Sequence, residues 1–151
     1  MRLFKARVQN YRSIIDSGEF EIEELKTILV GPNEAGKTVL LKALQQLSKP
    51  KDVPGFDVLR DYPRAKYNDI STGKVKISNV TVVTGYFSLD EEDKNLLPEE
   101  FRDCTYKVYK SIDNQLYHQL ENAPPKICYK DIKNDLTRLL TYLDKQYSLK
   151  N

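Results

Sequence analysis

Gly31-Pro32-Asn33-Glu34-Ala35-Gly36-Lys37-Thr38 is the stretch whose reading decides the fold. It is a complete GxxxxGKT loop, preceded by the apolar run Thr27-Ile28-Leu29-Val30 and followed by Val39-Leu40-Leu41-Lys42-Ala43-Leu44, a helical pattern. A strand that ends in a glycine-bounded turn and flows into a helix aims backbone N–H groups and the positive helix end at one point. Gly31 and Gly36 let the backbone curl without a Cβ in the way. Lys37 supplies a mobile cation for β and γ phosphates. The Thr38 hydroxyl is placed to ligate a magnesium ion that already carries phosphate oxygens. This context predicts a site for a nucleoside triphosphate, the alternative being a chance match in a surface turn.

The rest of the chain narrows the class. Its 151 residues fit one domain of ordinary size. With 24 Lys+Arg against 22 Asp+Glu, the net charge of +2 gives no pointer to nucleic acid. No apolar run approaches a bilayer span, and Met1-Arg2-Leu3-Phe4-Lys5 lacks the core of a signal peptide, so a cytoplasmic protein is expected, with no membrane partner. Cys104 and Cys128 have no CxxC spacing, and one histidine, His118, leaves no second imidazole for a zinc site or a triad.

Working outward from the loop, residues 1–48 read as strands and the loop helix. Phe4, Ala6 and Val8 alternate with Lys5, Arg7 and Gln9 as a half-buried strand ending near Asn10. The turn signal Asp16-Ser17-Gly18 introduces a second short strand at Glu19-Phe20-Glu21-Ile22. The loop helix places Leu40, Leu41, Leu44 and Leu47 on a core face and stops by Pro50. Residues 49–73, broken by prolines and glycines, read as a long irregular connection. Its Arg60, Arg64 and Lys66 are either a nucleic-acid footprint or part of a solvated face of alternating charges.

Residues 74–121 read as antiparallel strands: one within Val75 to Leu89, closed by the acidic turn Asp90-Glu91-Glu92-Asp93, then a hairpin of Tyr106, Val108, Lys110 and Ile112 against Leu116-Tyr117-His118. The acidic turn suits a helix N-terminus better than a metal site. Over 126–148, Tyr129, Ile132, Leu136, Leu139, Leu143 and Tyr147 recur at steps of three and four, an amphipathic helix. It either packs on this domain's own sheet or forms the base of a longer coiled-coil element.

Three separated pieces resemble one family. Val8-Gln9-Asn10-Tyr11-Arg12-Ser13, the spacing to the phosphate loop and the loop itself are similar to the N-terminal half of an ABC-class head ATPase of the Rad50, SMC and RecF type. Asn33-Glu34-Ala35-Gly36-Lys37 and Gly85-Tyr86-Phe87-Ser88-Leu89-Asp90-Glu91-Glu92-Asp93 look most like the OLD-family (overcoming lysogenization defect) and related bacterial defence ATPases. The resemblance implies an α/β, P-loop fold: a strand, loop and helix on a mixed sheet, a flanking antiparallel sheet and the C-terminal helix. It implies ATP and Mg2+ as cofactors. Arg12 and Ser13 would lie beside the nucleotide, Asn33, Glu34, Ala35, Gly36, Lys37, Thr38 and Val39 would wrap the phosphates, and Thr38 would be the metal ligand. A homodimer or a partner ATPase head across the nucleotide face is implied as well, with DNA or an effector protein as a further partner.

The chain also departs from that family. No run of four apolar residues ending in Asp-Glu follows residue 38, and no signature motif precedes one, so the attacking water has no assigned base. The expectation is an N-terminal ATPase lobe, either part of a longer protein or a short relative, in which binding is better supported than turnover. The competing functions are a non-catalytic nucleotide-binding adaptor that recruits a partner through its C-terminal helix, and a small-molecule kinase. The kinase would need an acceptor pocket and lid arginines where the chain has hairpin strands.

Overall fold

The alternation at Phe4, Ala6 and Val8 becomes β1 (Arg2–Tyr11), whose Ala6 and Val8 are fully buried while Lys5, Arg7 and Gln9 occupy the opposite face. The computed structural model describes residues 1–32, 36–125 and 128–148. β1 pairs with β2 (Ile14–Glu21) on one side and β3 (Thr81–Ser88) on the other, and β4 (Thr105–Ser111) and β5 (Leu116–Glu121) extend the sheet in the order β2-β1-β3-β4-β5. Every pairing is antiparallel. The sheet is therefore not the mixed one that the resemblance implied.

The helix α1 (Lys37–Gln45), continued by a 3-10 turn at Gln46–Ser48, lies on the Val8 face of the sheet. Ala43 is fully buried there, with Val39, Leu40, Leu44 and Leu47 packed around it. Leu41 departs from the expected stripe and is 56% exposed. It sits one residue, or about 100° of helix, past Leu40.

Thr27–Val30 is not a strand. A central parallel strand needs neighbours that donate and accept along both edges, and none of the five strands pairs with this run. Ile28 is 65% and Val30 90% exposed. Asp16-Ser17-Gly18 is not a turn either. It lies inside β2 where the β1–β2 register shifts, and Ser17 Oγ accepts the Val8 N–H at 2.9 Å in place of a ladder carbonyl. The true turn is Arg12-Ser13, between the paired Tyr11 and Ile14, with Arg12 in the left-handed region at φ 52°.

The connection at 49–73 has more structure than its composition suggests. It holds α2 (Val58–Asp61), a 3-10 turn at Arg64–Lys66 and α3 (Tyr67–Ser71). It also contributes Phe56 and Tyr62 to the core beside Tyr11, Val80, Val82, Val83 and Ile112. Tyr11 and Phe56 meet edge to face at 5.3 Å. The acidic turn behaves as expected. Asp90 caps α4 (Glu91–Asn95) with a reciprocal capping box to Asp93.

The final helix α5 spans Tyr129–Ser148. Ile132, Leu136, Leu139 and Leu140 are 39–60% exposed, so this part of the stripe does not pack on the domain's own sheet. The side chains of Tyr129, Leu143 and Tyr147 lie outside the described residues.

Gly85 shows how closely the 3-10 turn after α1 approaches the sheet. A Cβ there would stand 2.7 Å from Leu47 and 3.0 Å from Leu3 side-chain carbons. Gly85→Ala is expected to overpack this seam by about 1–3 kcal/mol, measured by chemical denaturation. Unchanged stability would mean that the seam is loose.

Candidate phosphate-binding site

The site is assembled where α1 begins. Gly36 precedes it at φ 82°, a conformation that favours glycine. Among the described residues no side chain caps the helix, and its first turn carries no acid. The Leu40 N–H reaches the Gly36 carbonyl at 2.9 Å, whereas the N–H groups of Lys37, Thr38 and Val39 have no acceptor within the helix. The positive end of the helix dipole is thus not offset by a carboxylate in the helix's own first turn.

The Lys37 ammonium folds back over the loop, donating to the carbonyls of Gly31 and of Pro32, the latter at 2.6 Å. Both acceptors are neutral, so a phosphate oxygen would compete for the same protons with a full charge. Thr38 is exposed. Val39 packs its side chain on the core, so its backbone N–H is the group it could offer a ligand.

Ser13, in the β1–β2 turn, comes up against the loop. Its Oγ lies 3.4 Å from where a Cβ on Gly36 would be, and Ile14 follows at 3.6 Å. A cleft of about 470 Å3 results, lined by Ser13, Asp16, Ser17, Val30, Gly36 and Lys37 among others. Asp16 would repel an anion, but Arg7 Nε donates to it at 3.0 Å and Gln9 at 3.1 Å. The Arg7 guanidinium, then the Gly18 backbone N–H, hold its carboxyl well below the ordinary carboxylate range.

Arg12 goes elsewhere. Its backbone N–H donates to the Asp61 carbonyl at 2.7 Å and its guanidinium to the Asp61 carboxylate at 2.9 Å. Arg60 Nη2 grips the other oxygen of that carboxylate at 2.9 Å, and Asp61 is 1% exposed. Of the predicted site residues, Ser13, Gly36 and Lys37 line one cleft, Thr38 and Val39 sit on the adjoining helical turn, and Arg12 lines a different cleft. Asn33, Glu34 and Ala35 lie outside the described residues.

Sequence reasoning missed the role of Asp61 rather than the residue. The segment Asp61-Tyr62-Pro63-Arg64 stands out in the sequence as the part of this loop most worth testing, but its balanced charges do not show that Asp61 is buried under two arginines. Of the proposed nucleic-acid residues, Arg60 is engaged as above and Lys66 donates to Asn10 Oδ1 at 3.0 Å, so two of the three are tied within the fold. Among the described residues no group of three His, Cys, Asp or Glu could hold a metal ion, and no helix is long and apolar enough to cross a membrane.

The fold is α/β, with helix α1 laid on a five-stranded antiparallel sheet, and is consistent with an ATPase domain. A family model described as an AAA ATPase domain matches residues 1–151, and the chain belongs to that family. Comparison with curated proteins gives no match. Membership suggests nucleotide binding and implies the use of ATP and Mg2+. The described residues fit that requirement: an uncapped helix start, a lysine held only by neutral carbonyls and an exposed hydroxyl at Thr38.

Proposed function

We propose that the chain is the Mg-ATP-binding N-terminal lobe of an ABC-type ATPase head, of the kind found in OLD-family and Rad50-like proteins. ATP binding or hydrolysis would be coupled to DNA transactions or phage defence with motifs supplied downstream or by a partner head. The observation that carries this reading is the convergence of Ser13, Gly36 and Lys37 on one cleft at the uncapped start of α1. Lys37 would leave the Gly31 and Pro32 carbonyls for phosphate oxygens, the N–H groups of Gly36 to Val39 would point at the same oxygens, and the Thr38 hydroxyl would hold the metal. Mg-ATP, when bound, would supply the phosphoanhydride to be cleaved and a cation that offsets its charge.

The apolar run at Thr27–Val30 supports the idea of completion. With Leu25 at 97%, Ile28 at 65% and Val30 at 90% exposure, these residues form an apolar row in want of a neighbouring strand. A second reading, the non-catalytic adaptor, rests on the uncovered stripe of α5 at Ile132, Leu136, Leu139 and Leu140.

Calorimetric titration with Mg-ATP tests the first reading. One site is expected, with a dissociation constant in the range of about 1 μM to 1 mM usual for enzyme substrates. No saturable heat in that range would remove the nucleotide reading altogether. Phosphate release on adding a partner head favours the ATPase, and its absence with every such partner favours the adaptor.

A further inference from the structure

A second cleft, sharing no lining residue with the first, opens between the C-terminal half of α1 and the segment leading into α2. It measures about 260 Å3, and Arg12, Lys42, Gln45, Gln46 and Arg60 are among the residues that line it. We propose that this cleft is an anion site that takes a single phosphate group, independent of the phosphate loop.

Charge is the first argument. Arg12 and Arg60 share one carboxylate, that of Asp61. Asp57 is the other acid at hand, its carboxylate accepting the Arg60 backbone N–H at 2.9 Å. Lys42 has no ion pair among the described residues. Lys49 stands close by, donating to the Val53 carbonyl at 2.7 Å.

Lys110 is the second argument. It lies in the apolar phase of β4 and is only 5% exposed, yet no carboxylate meets it among the described residues. Its ammonium donates to Gln46 Oε1 at 2.9 Å and stands 5.4 Å from the centre of the Phe56 ring. Gln46, itself 6% exposed, donates in turn to the carbonyl of Pro54 at 2.9 Å, and both Gln46 and Pro54 line the cleft. Burying a cation without an acid is unfavourable unless a counter-charge arrives. An anion in the cleft supplies one across Gln46.

Chemistry and size select the ligand. Arg12 and Arg60 turn their Nε and Nη2 groups to Asp61, so their Nη1 groups, with the Lys42 ammonium and the Gln45 amide, are the donors that match the several acceptor oxygens of a tetrahedral oxyanion, and the excess of cations suits a dianion. The volume falls below the roughly 300–1,000 Å3 of drug-sized pockets, which fits one phosphate group better than a whole nucleotide. The ligand is a phosphate monoester or inorganic phosphate. Its source is a free small molecule or the 5′ end of a nucleic-acid strand.

The proposal does not rest on the nucleotide reading, and the test separates the two. Inorganic phosphate is titrated into the wild type, Lys37→Ala, Lys42→Gln and the double variant Lys42→Gln/Arg60→Gln, with circular dichroism confirming the fold. Binding is expected to persist in Lys37→Ala, to weaken about threefold in Lys42→Gln and to weaken about tenfold or more in the double variant. Binding that is lost in Lys37→Ala and kept in the double variant overturns the proposal, as does failure of every protein to bind at about 10 mM phosphate. Short oligonucleotides with and without a 5′-phosphate then assign the source. A gain from the 5′-phosphate that the double variant abolishes places a strand end in the cleft, and equal binding leaves the free phosphate as the ligand.

Discussion

Lys37→Ala is expected to weaken Mg-ATP binding by about a hundredfold or more, roughly 2.7 kcal/mol, while leaving the folded state almost untouched. The two halves of that expectation have separate causes. Among the described residues the Lys37 ammonium donates to the Gly31 and Pro32 carbonyls on an exposed loop, so removing it disturbs neither the core nor a buried pair. Stability should stay within about 0.5 kcal/mol. The phosphates, by contrast, lose the one side-chain cation that the described part of the loop provides. Calorimetry with the two proteins at equal ionic strength reads the first effect and thermal unfolding the second. Equal affinity would show that ATP, if bound, sits elsewhere.

The largest stability effect is expected from Asp61→Asn. The substitution leaves Arg12 and Arg60 facing a neutral amide and removes the anion that holds Arg12 in its left-handed turn. Breaking a buried pair costs about 3–5 kcal/mol, and the partial exposure of both arginines brings the expectation down to about 2–4 kcal/mol. In a domain of this length that lowers the melting temperature by about 5–15 °C.

The pH dependence of this loss follows from the carboxyl itself. Burial alone raises the Asp61 pKa, but hydrogen bonds from Arg60, the Asp57 backbone and Arg12 more than offset it, and the net shift is below the ordinary 3.8. A depressed carboxyl contributes stability that is fully present above pH 3.8 and is lost as pH falls through the folded-state value. The gap between wild type and Asp61→Asn should therefore be constant near neutrality and narrow below pH 3.8. A gap that widens on acidification would assign the effect to something other than this carboxylate.

What the sequence disclosed and what it concealed divide along physical lines. Period-two alternation at Phe4, Ala6 and Val8 and again at Val108, Lys110 and Ile112 was legible because each strand has one buried face. The same phase even placed Lys110 inward, although its burial without an acid could not be read from spacing. The Asp90 cap was legible because capping is local. Thr27–Val30 misled for the opposite reason: strand formation depends on partners, which local composition does not supply. Asp16-Ser17-Gly18 misled because a bulge and a turn use the same residues. Within the site, the GxxxxGKT spacing foretold that Gly36 and Lys37 share a helix start, and the meeting of Ser13 with Gly36 was reached only through resemblance. The attachment of Arg12 to Asp61, across 49 residues of chain, was legible in neither way.

The central claim is that Mg-ATP binds at the start of α1, and residue-resolved amide NMR during a Mg-ATP titration tests it most directly. The account predicts saturable shifts of the Gly36, Lys37, Thr38 and Val39 amides, with Ser13 following. Saturation with these five amides unmoved, and shifts confined to another surface, would contradict it.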